Sequence, residues 1–283
     1  NPTHPELLDF LANWFVQDLG PQKPAWSLKS LHKAIMLSRA YQQSSSSVFK
    51  GGANDYAKVD PSNSLLWRAN VRRLDFESFR DSLIGMAGIM EKSTGGISFN
   101  VTEEPYIFRR SVYAYIDRAN MPDLLMQFDM ANPTAPNSKR SSTIVPQQAL
   151  FLMNSSFVAA IVQNIVKRPE IVNAVSIQKD TDKGVSAVYR LVLQRLPTAA
   201  ERKRAIDFLV MENKMQAAIK NEAAQINKDA TKMAEKKLQS AQNAKTASAA
   251  LVNEGELVQR VAFSPWEALV QALLFSNEAA YVN

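Results

Sequence analysis

The chain of 283 residues contains no cysteine and only two histidines. Without cysteine it cannot form a disulfide, a thiol nucleophile, a thiolate metal site or a haem attachment through Cys-x-x-Cys-His. His4 and His32 belong to neither a His-x-x-x-His nor a Glu-x-x-His pattern, which argues against two zinc ligands on one helical face. We assign no metal site, although calcium needs only carboxylates and carbonyls. Both histidines are interpreted as structural hydrogen-bonding residues.

Glycine is also scarce, with nine in the whole chain, and no Gly-x-Gly-x-x-Gly, phosphate-loop or Gly-x-Ser-x-Gly pattern occurs. Nucleotide-dependent enzymes and hydrolases with a nucleophile elbow are therefore disfavoured. Paired carboxylates for glycoside hydrolysis need no local signature. Glu103, Glu104 and Asp129 lie nearest to predicted loops, and we favour a surface role for each. Whether the chain is an enzyme stays open, and no catalytic residue is assigned.

Long apolar runs are missing as well. The most apolar stretch, from Ala149 to Val166, is interrupted by polar residues such as Asn154 and Gln163, whereas a membrane span needs about 18 apolar residues in succession. We predict a soluble chain without a membrane span. The first residues have neither the basic start nor the apolar core of a secretory signal, so we expect any targeting segment to lie upstream or to have been removed.

Positive charge is in excess, with a formal net charge of +6, but it is not concentrated. Acidic residues stand beside basic ones, for example in the Arg80-Asp81 pair. Binding of a polyanion needs concentrated and uncompensated charge. We therefore favour a solvated surface of mixed charge and expect no nucleic-acid partner.

Most of the chain has helical periodicity, and the predicted fold class is mainly α. Start signals precede apolar residues that recur every three or four positions, and these starts are Thr3, Ser27, Asp60, Asp75, Pro146, Thr198 and Ser264. Thr3 with Glu6 and Thr198 with Glu201 have the spacing of a capping box. The first helices are expected to pack together, and the helix from Asp75 is expected to end at Gly95-Gly96. The helix from Pro146 is apolar enough to be central in the core.

The period changes to two between residues 106 and 117, where Tyr106, Phe108 and Ala114 are among the alternating positions. This alternation predicts one strand, the minor β element of the fold. A single strand cannot satisfy its own backbone groups, and its partner is not evident from the sequence. Residues 129–146 are rich in Asn, Pro, Ser and Thr and are predicted to form an ordered, irregular loop.

From residue 199 to about 252 the chain is dominated by Ala, Lys, Gln, Asn and Glu, with a narrow apolar stripe that includes Met215 and Ile219. This composition predicts a long projecting helix or helical hairpin, which is either a solvated arm or an arm that contacts a partner. The predicted organisation is a helical core at 1–198, this arm at 199–252 and a C-terminal helix at 253–283 that packs back on the core.

Arginines and acidic residues alternate between residues 68 and 81, and the Arg109-Arg110 pair lies on the predicted strand. Two interpretations stay open: an ion-pair network that clamps helices to the strand, which we favour, or a pocket for an anionic or sugar ligand. For the pocket, the candidate ligand-binding residues are Arg68, Arg72, Arg73, Arg80, Arg109, Arg110, Asp129 and Arg140.

A series of different short motifs is spread along nearly the whole chain. They include Thr3-His4-Pro5-Glu6-Leu7-Leu8-Asp9, Trp26-Ser27-Leu28-Lys29-Ser30-Leu31-His32, Asp60-Pro61 with Leu66-Trp67-Arg68, Pro146-Gln147-Gln148-Ala149-Leu150 and Leu273-Leu274-Phe275-Ser276-Asn277-Glu278. In order and spacing they resemble the planctomycete-specific domain one, a domain of unknown function found in large proteins of Planctomycetes and Verrucomicrobia. Gln42 departs from this pattern, since the family commonly has arginine there, and the loop before Arg140 lacks a cysteine that the family often has. The arm lies where the family varies in length, which favours an insertion.

The resemblance implies a periplasmic or cell-surface setting and a place in the C-terminal part of a multidomain protein. It also implies a cytochrome-c-like domain upstream, so haem c is expected there and no cofactor is expected in this chain. The expected partners are upstream domains or a fragment of the same precursor and a c-type cytochrome assembly.

Together these observations favour a non-catalytic scaffold or interaction module of a large extracytoplasmic, cytochrome-c-linked protein. The alternative is a polysaccharide-binding or polysaccharide-degrading domain. A deep cleft with convergent carboxylates and exposed aromatic rings would favour the alternative, whereas a flat surface with buried arginine pairs would favour scaffolding.

Overall fold

The structure, a computed structural model, describes residues 2–45, 56–137, 140–219 and 263–282. Helices dominate these residues, which confirms the mainly α fold class. The chain forms two compact units, an N-terminal unit of Asn1–Leu74 with Tyr281–Asn283 and a central unit of Asp75–Ala280. The division thus lies inside the region that was predicted to be one core.

The described residues of the N-terminal unit form helices and a short pair of strands, and the bounds are α1 Pro5–Val16, α2 Leu28–Met36, α3 Tyr56–Val59, β1 Arg72–Arg73 and β2 Tyr281–Val282. The two strands pair antiparallel, with Arg72 opposite Val282 and Arg73 opposite Tyr281. The predicted capping box at Thr3 does not form, because α1 begins at Pro5 and its N-terminus has no side-chain cap. Neither α1 nor α2 contains a buried residue, so the predicted packing of their apolar faces is not observed.

Among the described residues of this unit the buried side chains are polar, and Asp60 and Asn63 form the centre of a hydrogen-bonded cluster. The buried Asp60 carboxylate accepts hydrogen bonds from the backbone N–H groups of Leu65 (2.8 Å) and Ser64 (3.0 Å). These bonds, the Leu65 bond above all, lower the pKa of Asp60 below its usual value. Buried Asn63 binds both backbone groups of Arg68, donating to its carbonyl at 2.8 Å and accepting from its N–H at 3.2 Å. The segment therefore holds its shape mainly through its own hydrogen bonds.

The central unit combines helices with long irregular segments between residues 88 and 145. Its elements are α4 Phe76–Ala87, a 3-10 turn at Ser111–Tyr113, α5 Asp123–Gln127, α6 Pro146–Asn154, α7 Ser156–Val166, α8 Pro169–Val172, a π-helical turn at Asn173–Ile177, α9 Thr181–Leu193, α10 at 199–219, α11 Pro265–Leu274 and α12 Asn277–Ala280. Helix α4 ends earlier than predicted, because Gly88 adopts a left-handed conformation (φ 72°) and closes the last turn. The predicted helix start at Ser264 is confirmed, and it is a capping box in which the side chains of Ser264 and Glu267 bind each other's backbone N–H.

Helix α7 is the centre of the core. Its Val158, Ile161, Val162 and Ile165 side chains are fully buried, and α4 and α11 pack against it. The single helix predicted from Pro146 is in fact two, α6 and α7, which are bent by 56°. No single helix among the described residues is long and apolar enough to cross a membrane, and this bent pair has the required length and composition only when its two parts are taken together.

The predicted strand at 106–117 is wrong. The segment makes only single bridges, Glu91 with Arg109 and Phe99 with Ala114, and it turns into a 3-10 helix at residue 111. The physical reason is that the carbonyls of Ile107 and Arg109 accept hydrogen bonds from the Arg80 side chain, where a strand would need a neighbouring backbone. The alternation in the sequence therefore reflects packing along an extended loop.

The predicted arm begins as part of the core. Ala205 and Leu209 of α10 are buried in a cluster with Val185 and Tyr189 of α9 and Leu269 of α11. The first residues of the predicted arm are therefore part of α10 and pack in the core. Residues 220–252 of the predicted arm lie outside the described residues. Helix α11 packs on α7 and α9.

A clamp around Arg195 joins the start of α10 to α12. The guanidinium binds Glu201 at 2.7 and 2.8 Å and Glu278 at 2.5 and 2.7 Å. Glu201 also closes a capping box with Thr198, as the sequence predicted. The hydrogen bonds from Arg195, followed by those from Thr198, lower the pKa of Glu201 to about 2.

The clamp predicts a specific acid sensitivity. Because folding lowers the pKa of Glu201 from 4.5 to about 2, its stabilising contribution is complete above pH 4.5 and is lost as the pH falls toward 2. We expect a loss of about 1 kcal/mol after solvent screening. Urea unfolding between pH 6 and pH 2 would measure it. A Glu201→Gln variant should lack this part of the acid dependence, and equal pH profiles for the two proteins would contradict the clamp.

Two helical glycines give a matched test of packing. A Cβ at Gly184 in α9 would lie 2.6 Å from Cη2 of Trp266 and 2.8 Å from Cγ2 of Val175, whereas a Cβ at Gly85 in α4 would meet only the Met90 Cε at 4.0 Å. We expect Gly184→Ala to lower the free energy of unfolding by about 1–3 kcal/mol through overpacking. Gly85→Ala should raise it by about 0.5–1 kcal/mol through helix propensity. Equal effects in urea unfolding would show that α9 does not pack as described.

Candidate functional site

Arg80 of α4 is the centre of the predicted arginine cluster, and its side chain is only 2% exposed. The guanidinium donates to the carbonyls of Arg109 (2.9 Å) and Ile107 (2.6 Å) and, more weakly, to Ser111 Oγ (3.3 Å). The rings of Phe99 and Phe157 lie 5.3 and 5.2 Å from its central carbon. Burial lowers the pKa of Arg80 below its usual value, and Asp81 partly offsets this. The residue is committed to the fold and is not available to a ligand.

Arg109 holds a second loop through the same kind of contact. Its guanidinium donates to the carbonyls of Ile97 (2.9 Å) and Gly95 and lies 4.8 Å from the Tyr113 ring centroid. Gly95 and Gly96 have positive φ values of 72° and 89°, which glycine adopts without a Cβ clash. The glycine pair therefore shapes a loop around Arg109 and does not end α4.

Asp81 fixes the 3-10 turn to α4. Its Oδ1 accepts hydrogen bonds from both the backbone N–H and the hydroxyl of Ser111, each at 2.7 Å. Arg110 lies nearby, with its Nε 3.8 Å from Asp81 Oδ2, but its side chain is 62% exposed. Of the predicted arginines in the central unit, Arg110 is thus the most open to solvent.

Arg140 forms a fork with Glu77. Its Nη1 and Nη2 donate to Oε2 and Oε1 of Glu77 at 2.7 and 2.8 Å, and Asp75 Oδ2 lies 3.7 Å from Nη1. The hydrogen bond to Glu77 raises the pKa of Arg140 above its usual value. This bidentate pair joins Arg140, within the Asn- and Pro-rich loop of residues 129–146, to the first turn of α4.

Asp129 closes that loop on itself. Its carboxylate accepts hydrogen bonds from the Thr143 N–H (2.6 Å), the Thr143 hydroxyl (2.9 Å) and the Ser141 hydroxyl (3.1 Å). Both carboxylate oxygens are therefore occupied by the loop. Asp129 is better suited to holding residues 129–143 together than to proton transfer.

The remaining candidates lie in the N-terminal unit. Arg72 and Arg73 form β1, and the Arg68 guanidinium stacks 5.2 Å from the Trp67 ring centroid while its backbone binds Asn63. The structure therefore brings Arg80, Arg109 and Arg110 together on the α4 side of the central unit. It places Arg68, Arg72 and Arg73 in the other unit.

A cavity of about 330 Å³ opens beside this cluster in the central unit. Carboxylates of Asp75, Glu77 and Asp81, the Ser111 side chain and Arg110 contribute its polar wall, and the apolar wall consists of Phe76, Val101, Val112, Ala114, Ile116, Leu125 and Met130. Carboxylates outnumber arginine there, which makes the cavity less favourable for an anion than for a neutral, polyhydroxylated or cationic group.

Sequence reasoning therefore found the arginines but did not assign Asp75, Glu77, Asp81 and Ser111 to the lining of a cavity. The signal in the sequence was the presence of the acidic residues Asp75, Glu77 and Asp81 close to Arg80. In the sequence analysis only the arginines of this stretch were given a ligand-binding role. In the described part of the chain, no three His, Asp or Glu side chains are grouped so as to hold a metal ion.

Arg80 and Arg110 provide a matched test of whether the buried arginine stabilises the fold and the exposed one does not. Arg80→Gln leaves two buried carbonyls without their charged donor, and we expect it to lower the free energy of unfolding by about 3 kcal/mol. Arg110→Gln removes an exposed charge and should change it by less than about 0.5 kcal/mol. Urea unfolding of both variants would measure the difference. A similar loss in the free energy of unfolding for the two variants would show that Arg80 does not hold these loops as described.

Comparison with protein families gives a match that covers most of the chain. The model of a family described as "PSD1: Protein of unknown function (DUF1553)" matches residues 1–209. The matched region contains the N-terminal helices, the hydrogen-bonded cluster around Asp60 and Asn63, the arginine cluster and the first part of α10. Comparisons with curated proteins and with solved structures gave no match.

Proposed function

The chain belongs to the PSD1 family of proteins of unknown function, and from this membership we propose that it is a non-catalytic interaction module. In this proposal it scaffolds a large extracytoplasmic, cytochrome-c-linked protein, with haem c on an upstream domain. Its contact surface is the N-terminal unit.

One observation carries the proposal: the N-terminal helices have large apolar side chains but bury none of them. Phe10 of α1 is 61% exposed and Leu28 of α2 is 60% exposed. Monomeric soluble proteins rarely leave large apolar patches open to water, and such patches mark interaction sites. A surface of this kind supports a module whose partner covers α1 and α2.

The arginine cluster gives independent support. Arg80, Arg109 and Arg140 each direct the guanidinium to groups of the same chain, so they stabilise loops of the central unit. Arg80, whose side chain is 2% exposed, is a buried arginine of the kind that would favour scaffolding. These contacts leave Arg110 as the exposed arginine of the group.

A second candidate, binding of a polysaccharide segment, draws on the 330 Å³ cavity. Its carboxylates and Ser111 could accept or donate hydrogen bonds to sugar hydroxyls, and its apolar wall could contact the C–H face of a ring. However, no Trp or Tyr side chain lines the cavity among the described residues. We therefore keep this function as the alternative.

The proposal is tested by isolating the chain from its native source under non-denaturing conditions, followed by intact mass measurement, peptide mapping and a haem stain. We expect a haem-bearing polypeptide to co-isolate. A Phe10→Ser/Leu28→Ser variant should lose it, because two apolar side chains leave the contact surface.

The matched control is Ile97→Ser/Ile177→Ser, which changes two apolar residues of the central unit that are 90% and 71% exposed. It should retain the haem-bearing polypeptide, and circular dichroism should show unchanged helix content in both variants. Isolation of the chain alone and free of haem would contradict the scaffold, and a polysaccharide-binding screen would then test the alternative.

A further inference from the structure

The cavity of the central unit has two opposite charges side by side on its wall. Asp81 and Arg110 both line it, and the Asp81 Oδ2 lies 3.8 Å from the Arg110 Nε. That distance is too long for a hydrogen bond, whereas the Asp81 Oδ1 is held by Ser111 at 2.7 Å. The Arg110 side chain is 62% exposed and that of Asp81 is 20% exposed, so both can be reached from solvent.

The charges around the cavity balance. Three carboxylates and one arginine line it. Two further arginines neutralise carboxylates of the lining: Arg140 through its fork with Glu77, and Arg80, whose Nη1 is 3.9 Å from the Asp81 Oδ1. The site therefore favours a ligand with no net charge over a cation or an anion.

The rest of the wall is apolar and mostly aliphatic. Val101 and Leu125 are 6% and 1% exposed, and Ile116 and Met130 lie beside them in the lining. These side chains offer no hydrogen-bonding group, so the hydroxyl groups of a sugar ring would lose their partners against them. An aliphatic chain with its polar groups at one end is better suited to this wall.

We propose that the cavity binds a free α-amino acid with an aliphatic side chain, for which leucine is the probe. The ammonium group binds the Asp81 Oδ2, the carboxylate binds the Arg110 guanidinium, and the side chain contacts the aliphatic wall. An α-amino acid carries its two opposite charges on one carbon atom, which matches the adjacent positions of Asp81 and Arg110.

The size of the cavity suits such a ligand. Its volume of about 330 Å³ lies at the small end of the range of about 300–1,000 Å³ for ligand pockets. This inference goes beyond the proposed function, whose contact surface is the N-terminal unit, and it gives the cavity an occupant other than a sugar.

Calorimetric titration of the full chain with leucine and two analogues tests the proposal. We expect leucine to bind with a dissociation constant on the order of 0.1–1 mM. Leucinamide lacks the carboxylate and N-acetyl-leucine lacks the ammonium group, so each should bind at least about tenfold more weakly. No binding of leucine up to about 10 mM, or equal binding of leucine and either analogue, would overturn the proposal.

Two variants assign the contacts to their residues. Arg110→Gln should weaken leucine binding about tenfold and leave leucinamide binding unchanged, because leucinamide has no carboxylate to lose a partner. Asp81→Asn keeps an acceptor for Ser111 but removes the charge, and it should weaken leucine binding without changing the binding of N-acetyl-leucine. If Asp81→Asn fails to fold, Arg110→Gln and the analogues still decide. Equal weakening of leucine and leucinamide by Arg110→Gln would contradict the assigned contact.

The matched control is Arg118→Gln, which removes the charge of an exposed arginine of the same unit that lies outside the cavity lining. It should leave leucine binding unchanged. Binding of cellobiose in place of leucine would overturn the proposal in favour of the sugar. The co-isolation experiment with haem staining depends on the N-terminal unit, so its outcome is independent of this one.

Discussion

The central unit depends on one buried cation. Arg80 is held at 2% exposure between two phenylalanine rings, and its guanidinium replaces the backbone neighbour that the 106–117 segment lacks. A guanidinium suits this role because its rigid fork presents several donors in one plane and stays charged when it is partly desolvated. The adjacent Asp81 then fixes Ser111, so two successive residues of α4 hold the whole loop.

Local signals in the sequence were sufficient for the helices and for several of their starts. The capping box predicted for Thr198 and Glu201 and the helix start predicted at Ser264 are both present, because each depends on residues within one turn. The motif resemblance was equally reliable, and the family match over residues 1–209 confirms it. These predictions needed no knowledge of distant contacts.

The failures around Arg80 and Arg140 have a common cause, which is interaction across long sequence separations. Arg80 lies 29 residues from Arg109 and Glu77 lies 63 residues from Arg140, so neither pair leaves a local pattern. The period of two in the 106–117 segment predicts a strand only if a backbone partner exists, and here a side chain takes that place. The site was missed for the same reason, since the carboxylates that face the cavity were read only as partners of nearby arginines.

The strand pair of the N-terminal unit has a consequence for the order in which the protein is built. Residues 72–73 pair with residues 281–282, so the central unit is an insertion within the sequence of the N-terminal unit. During synthesis the N-terminal unit starts first but is completed last, after the whole central unit has left the ribosome. For most of translation, β1 is thus an unpaired strand edge, and the apolar surfaces of α1 and α2 emerge before the unit that they belong to can close.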